Sequence, residues 1–300
     1  MVTTRHDVKI GPAGWSYADW DGVVYPKPKP RGFHPLPYLA RYVDCIEINS
    51  SFYATPRADY AEKWVAHVHD LPEFHFTAKL QDVFTHHPFH DTQRLLEDAE
   101  RFRAGLAPLR SAGKLACLLV QFPFSFRRSL AAEKRLAWIA ETFLDHSLVL
   151  EVRHKSWFDR EARAAIAGWG YNLATIDLPD HKDHPPEFVE PTGPLGYLRL
   201  HGRNHAAWFD SSAGRDQRYD YLYGKDELFR LAETARRLAS GTDRTYVITN
   251  NHFAGKAVAN ALELRSELEG APPVAPRTLV RQYPHLGAVT RLEAGQGDLF

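Results

Sequence analysis

The sequence predicts an α/β fold: a (β/α)8 TIM-type barrel, with a parallel sheet inside and helices outside. Three observations carry this. Short apolar runs alternate with amphipathic helical stretches, the pattern of parallel strands joined by covering helices. About eight such units fit within 300 residues, the size of a single barrel. The first strand runs into GPAGWSYADW, which lacks a dinucleotide fingerprint, and no Walker-type loop is present. That argues against a Rossmann enzyme and a P-loop NTPase.

The elements follow in order. A strand at 8–11 precedes a proline-rich loop at 25–37 and a helix at 37–42. Strand 45–49 leads to helix 60–69, strand 74–80 to helix 92–109, and strand 115–121 to helix 131–144. Strand 148–152 leads to helix 160–168. Strand 172–177 runs into a loop at 179–194. Strand 197–201 leads to helix 226–240, and strand 245–249 to helix 254–268. The two loops read as insertions on the barrel, not as domain linkers. Residues 1–270 therefore form one barrel domain. From 270 onward the chain is rich in Pro, Ala and Gly and loses periodicity, so 271–300 is expected to be a surface or mobile tail.

Composition narrows the function. At 44% hydrophobic and 25% charged residues the chain is an ordinary globular protein, not a disordered or fibrous one. Lys and Arg number 37, as do Asp and Glu. A balanced chain has no long-range positive field and is no nonspecific nucleic-acid coater, although a local basic cleft is compatible with it. Arg outnumbers Lys, which suits bidentate recognition of phosphate or carboxylate, or merely reflects surface composition. Cys45 and Cys117 each sit in an apolar run and read as buried thiols. No apolar signal region or membrane-length stretch is present, so the expected location is cytoplasmic.

In such a barrel the chemistry sits at the carboxyl ends of the strands. Those ends carry Trp15 and Tyr17 after the first strand, then Glu47 and Asn49, followed by Ser50, Phe52 and Tyr53. Lys79 comes next, with Thr85 and His86 beyond it, then Gln121. Glu151, Arg153 and His154 follow, with Trp157 after them. Asp177 ends the sixth strand. Arg199, His201 and Arg203 belong to the seventh, with Trp208 beyond. Asn250, Asn251 and His252 end the eighth. Period two places Glu47 with Asn49, Glu151 with Arg153, and Arg199 with His201 and Arg203 on common faces. Burial of so many charges requires pairing: Glu47, Glu151 and Asp177 against Lys79, Arg153 and Arg199.

The functional reading is a polar pocket for an anionic ligand. Its catalytic candidates are Glu47, Lys79, Glu151, Asp177 and His201. The other reading is a self-satisfied salt-bridge network plugging the barrel. His201 and His86 are the expected titrating groups near neutral pH. Glu47 or Glu151 suits a general base if burial raises its pKa. Lys79 suits an electrophile, a phosphate partner or a Schiff-base lysine. The aromatics Trp15, Tyr17, Phe52, Tyr53, Trp157 and Trp208 suit stacking on a base or sugar, or packing. No cofactor is predicted. Glu47, Glu151, Asp177 and His201 could hold a divalent metal, but no tight ligand spacing supports one.

The chain ends Gln296-Gly297-Asp298-Leu299-Phe300. This resembles the short peptide that docks bacterial DNA polymerases and repair proteins on the sliding clamp, with Leu299 and Phe300 filling a pocket and Gln296 bonding at its rim. The alternative is a terminal Leu-Phe docked back on the barrel. Three functions are compatible with these features. One is an enzyme binding a phosphate-bearing ligand (a nucleotide or DNA) and recruited to the clamp. Another is an isomerase, lyase or hydrolase acting on a phosphosugar or sugar acid. The third is a non-catalytic clamp-associated module.

Seven segments carry a further resemblance: GPAGWSYADWDGVVYP, EINSSFYATP, FTAKL with Thr85–His86, LLVQFPFSF, EVRHKSWF, YLRLHGR with Trp208, and NNHFAGKAVANA. In this order, over residues 8 to 265, the chain resembles the YecE-like family (domain of unknown function 72). Ala13 stands where a Ser is common. The resemblance implies a TIM-type barrel and little chemistry, since no activity is established for the family. Its motifs coincide with Glu47, Asn49, Lys79, Gln121, Glu151, Arg153, His154, Arg199, His201, Asn250 and Asn251. Analogy to the barrels of apurinic endonucleases and sugar isomerases rests on fold alone.

Overall fold

The structure, a computed structural model, describes residues 7–89, 91–210 and 212–293. Nine main strands run in parallel. They are β1 (Val8–Pro12), β2 (Cys45–Ile48), β3 (His75–Lys79), β4 (Leu115–Gln121), β5 (Leu148–Glu151), β6 (Tyr171–Leu173), β7 (Thr175–Asp177), β8 (Leu195–Leu200) and β9 (Arg244–Thr249). Strands β2 to β6 form one sheet in chain order, and the second has the order β1-β9-β8-β7. The sheets touch twice. A single parallel bridge joins Ala13 to Glu47. On the other side β6 and β7 are one extended run, 171–177, which changes sheet at Ala174. The sixth expected strand is therefore two short ones.

Alternation divides each strand between two cores. In β2, Cys45 and Glu47 point to the interior that the sheets enclose, while Ile46 and Ile48 pack outward. In β8, Tyr197 and Arg199 point inward, and Leu198 and Leu200 outward. The inner core is Ala13, Cys45, Cys117, Leu119, Val149, Ala174, Ile176, Tyr197, Tyr246 and Ile248. Both thiols are buried there and free.

Helices cover the outside: α1 (Pro35–Leu39), α2 (Ser50–Tyr53), α3 (Ala58–His67), α4 (Asp82–Thr85), α5 (Thr92–Ser111), α6 (Leu130–Thr142), α7 (Arg160–Gly168), α8 (His205–Phe209), α9 (Arg215–Arg218), α10 (Lys225–Ser240), α11 (Lys256–Glu269) and α12 (Arg277–Gln282). Their starts follow from local chemistry. The side chains of Asp91, Ser129 and Asp159 accept from Arg94, Ala132 and Ala162 N–H, capping α5, α6 and α7. Gly270, in the left-handed region at φ 64°, ends α11. The short α2, α4, α8, α9 and α12 escape a periodicity reading because one turn carries no period.

Residues 271–293 are structured. Val274–Ala275 pairs with Arg291–Leu292. Ala275, Leu279, Tyr283 and Leu286 join the main core. Its apolar residues are too few and too unevenly spaced to be seen as a core element from sequence.

Gly11 sets the join between the sheets. A Cβ there would lie 1.7 Å from the Cys45 carbonyl oxygen, a backbone atom that cannot step aside. Around it Asp44 N–H donates to Ile10 O at 2.9 Å, and Gly14 N–H to Glu47 O at 2.8 Å. Gly11→Ala should therefore destabilise the protein by at least about 1–3 kcal/mol, the range for overpacking. Urea unfolding monitored by circular dichroism checks this; an unchanged midpoint would contradict the close approach.

Candidate functional site

The carboxyl ends of the parallel strands surround a pocket of about 350 Å³. Its floor is a charged layer. Arg199, on β8, is 3% exposed, and Glu47 and Glu151 are fully buried. Arg199 donates Nε to Glu47 Oε2 at 3.0 Å and Nη2 to Oε1 at 2.7 Å, a bidentate pair. Its Nη1 donates to Glu151 Oε2 at 3.0 Å. Tyr197 O–H donates to Glu47 Oε2 at 2.9 Å. Arg153 closes the layer, with Nε and Nη2 at 2.9 and 2.8 Å from Glu151 Oε1. Period two builds this layer: Glu47, Glu151 and Arg199 occupy inward positions on β2, β5 and β8.

Charge states follow from these contacts. Burial alone would raise the Glu151 carboxyl, but Arg199, His201 and Arg153 outweigh it and hold the group well below the usual range. Burial would lower Arg199; Glu47 and Glu151 hold it raised. His201 is fully buried. Desolvation lowers its pKa to about 3, against the pull of Glu151. Its neutral ring fits between Glu151 Oε1, 3.2 Å from Nε2, and the Asn250 amide, 3.1 Å from Nδ1. His86 is also pushed down, to about 4, by burial and by Lys79. The expectation that these two histidines titrate near neutrality is corrected: both stay neutral there. Glu151, far from being raised, stays ionised.

Above this floor lie the lining residues. Of the expected set, Trp15, Tyr17, Asn49, Tyr53, Lys79, Gln121, Arg153, Arg199 and Asn250 line the pocket. Lys79 is the last residue of β3, and its Nζ sits 3.6 Å from the Phe52 ring centroid. Desolvation first, then Arg199, lowers its pKa to about 7, while Glu151 and Glu47 oppose the shift. The opposite wall is aromatic. Tyr17 and His252 lie with ring centroids 4.5 Å apart, and Tyr219 lies 5.3 Å from His252. Gly14, Ser16 and Tyr219 were not expected at the site. The aromatic run Tyr219–Tyr223 after β8 was the one available signal for Tyr219.

Other expected residues lie elsewhere. Asp177 accepts from Arg203, with Nε at 3.0 Å from both carboxylate oxygens, and from Tyr223 O–H at 2.5 Å. Neither Asp177 nor Arg203 lines the pocket. Gly202, at φ 88°, ends the alternation of β8, so Arg203 no longer shares a face with Arg199. Trp157 is fully buried and donates Nε1–H to Phe126 O at 2.8 Å; it is core, not a ligand platform. His154 is tied to Ser156 Oγ at 2.9 Å. Asn251 is buried, donating to Tyr221 O and Asn260 Oδ1, each at 2.8 Å. His86 does not line the pocket; its Nδ1 lies 2.9 Å from Thr85 Oγ1, and Trp208 stands behind Arg153 at 5.8 Å. The metal option built on Glu47, Glu151, Asp177 and His201 is corrected too. Arg199 occupies both glutamates and Arg203 occupies Asp177. Among the described residues no three His, Cys, Asp or Glu side chains are grouped to hold an ion. Gln296, Leu299 and Phe300 fall outside the described residues. Among the described residues no helix is long and apolar enough to cross a membrane.

Parallel sheets with covering helices, and a polar cleft at the strand ends, define an α/β protein of the class expected from the sequence. A family model described as "Protein of unknown function DUF72" matches residues 9–282, and the chain belongs to that family. It is similar to the UPF0759 protein YunF of Bacillus subtilis (strain 168), at 30% identity over 277 residues, covering 87% of this chain and 95% of YunF. Among solved structures it is similar to a DUF72 family protein of Thermotoga maritima MSB8, at 31% identity and TM-score 0.74, covering 88% of this chain and 100% of that one. A DUF72 family protein of Enterococcus faecalis V583 shares the fold at 24% identity and TM-score 0.74, covering 87% of this chain and 95% of that one.

Two outcomes follow for stability. Arg199→Met strands two buried carboxylates and should cost about 3–5 kcal/mol, read from urea unfolding. His201 has a folded pKa below its unfolded value of 6.5. Its contribution is present above pH 6.5 and is lost as pH falls toward 3. Stability should therefore decrease from pH 7 to 5, by up to about 1.4 kcal/mol per pH unit from this group. His201→Gln should flatten that slope, and an unchanged slope would show that another group produces it.

Proposed function

We propose that this protein is an enzyme whose pocket takes a compact anionic ligand bearing a phosphate or carboxylate. The charge balance at the pocket carries the reading. Lys79, Arg153 and Arg199 line it, while Glu47 and Glu151 lie beneath the surface and are bound by the two arginines. Three cations over two carboxylates leave positive charge on the ligand side. Arg153 Nη1 has no partner among the described residues and can meet an oxyanion. Tyr17, Tyr219 and His252 supply flat faces for the remainder of the ligand.

Pocket size and overall neutrality favour a small molecule over duplex DNA. An isomerase, lyase or hydrolase acting on a phosphosugar or sugar acid therefore fits better than a nucleic-acid enzyme. We also read the two sheets as one (β/α)8-type barrel; the Ala13–Glu47 bridge and the passage of the chain from one sheet to the other at Ala174 support this. A cytoplasmic location belongs to the same reading. Recruitment to a sliding clamp through Gln296, Leu299 and Phe300 rests on sequence alone.

Titration calorimetry with inorganic phosphate and with oxalate tests the anion site. Arg153→Ala should weaken binding roughly ten- to a hundredfold, the value of one charge-assisted hydrogen bond. No binding of either anion by the unaltered protein would sink the reading. For the terminal peptide, binding to a purified bacterial clamp should be lost when Leu299 and Phe300 are removed. Equal behaviour of both forms would dismiss recruitment.

A further inference from the structure

The three cations of the pocket are not equivalent. Arg199 is bonded to both buried carboxylates and Arg153 to one. Among the described residues, no carboxylate lies within ion-pair distance of Lys79 Nζ and no acceptor within hydrogen-bond distance. The other lysines are either paired, as Lys9, Lys29, Lys63, Lys114, Lys155 and Lys256 are, or exposed to solvent. Lys79 is thus the one unpaired, partly buried lysine amine among the described residues, and it opens into the polar pocket at the strand ends.

Its placement is rigid. The Lys79 backbone ends β3, and its carbonyl accepts Ser51 O–H at 2.7 Å. The Phe52 ring backs the side chain. The groups that act on the amine come from four elements: Arg199 on β8, Arg153 and Glu151 at the end of β5, Glu47 on β2, and His86 after α4. Burial and two guanidiniums disfavour the ammonium more than two carboxylates and the face of the Phe52 ring favour it, since those carboxylates are already bonded to arginine. Desolvation beside another cation is the arrangement that turns a lysine into a nucleophile.

We propose that Lys79 forms an imine with an aldehyde or ketone that carries an anionic group, the anion being held by Arg153. The proposal rests on the anion-pocket reading above. The step balances without any co-reactant. The Nζ lone pair attacks the carbonyl carbon, and the carbonyl π pair moves to oxygen. The amine's two protons leave with that oxygen as water, and the C=N bond forms. A proton from solvent converts the imine to an iminium, which withdraws electrons from the neighbouring carbon. Lyases and isomerases that act next to a carbonyl use such an electron sink.

The test is reductive trapping. The full chain is incubated with glyoxylate and sodium cyanoborohydride, with and without competing phosphate, and the adducts are mapped by peptide mass spectrometry. The reduced adduct should concentrate on Lys79, forming at least about tenfold faster than on any exposed lysine. Its rate should rise through pH 7 and then level, whereas exposed lysines should keep rising. Lys79→Arg should abolish the fast adduct. Modification spread over exposed lysines, with Lys79 spared, overturns the proposal, and the unaltered protein gives that answer even if the variant does not fold. The two readings separate cleanly. Phosphate binding by calorimetry with no Lys79 adduct removes the imine and leaves the anion pocket. A Lys79 adduct in a protein that binds no phosphate or oxalate, and whose trapping phosphate does not slow, supports the amine and removes the anion pocket.

Discussion

A guanidinium buried away from water is tolerable only if carboxylates surround it, and Arg199 has two. Glu47 reaches it from β2 and Glu151 from β5, while Arg199 itself comes from β8. Three strands from both sheets thereby meet in one ionic layer. Tyr197 completes Glu47, and Thr77 on β3 lies 3.0 Å from the Tyr197 hydroxyl. A layer like this is weak grounds for stability, because its desolvation cost rivals its Coulomb gain. Its effect is positional. It fixes which way each strand end faces and leaves Lys79 and Arg153 as the charges a ligand would meet.

The interior half of this arrangement was legible in the sequence. Glu47, Glu151, Arg199 and His201 sit at inward positions of strands whose limits apolar runs define well. Period two then decides their direction with no knowledge of the fold beyond parallel strands. Lys79 and Gln121, read only as strand-end residues, also line the pocket. What period two could not say is who pairs with whom. Lys79 was expected among the paired cations, yet the arginines take both carboxylates, Arg199 meeting Glu47 through two parallel hydrogen bonds that a single ammonium cannot reproduce.

The rule fails where strands stop. Gly202 turns the chain out of β8, so Arg203 leaves the common face and binds Asp177. Trp157 follows β5 across a short 3-10 turn and falls into the core between Phe126 and the sheet. Tyr219 enters the pocket wall from a loop that has no period at all. Residues 271–293 bury four apolar side chains by packing against distant elements, which no local pattern reports.

The two sheets also differ in how the chain reaches them. Strands β2 to β6 pair with sequence neighbours, so that half can assemble as it leaves the ribosome. The other half is closed by the first strand against the last: Val8 pairs with Thr245 and Pro12 with Thr249. The N-terminal strand must therefore wait, with one edge open, until nearly the whole chain exists. Loop closure over that distance is slow, and an open strand edge invites wrong partners. The pairing of β1 with β9 is thus completed last, which makes the nascent chain, not the finished protein, the form most exposed to misfolding.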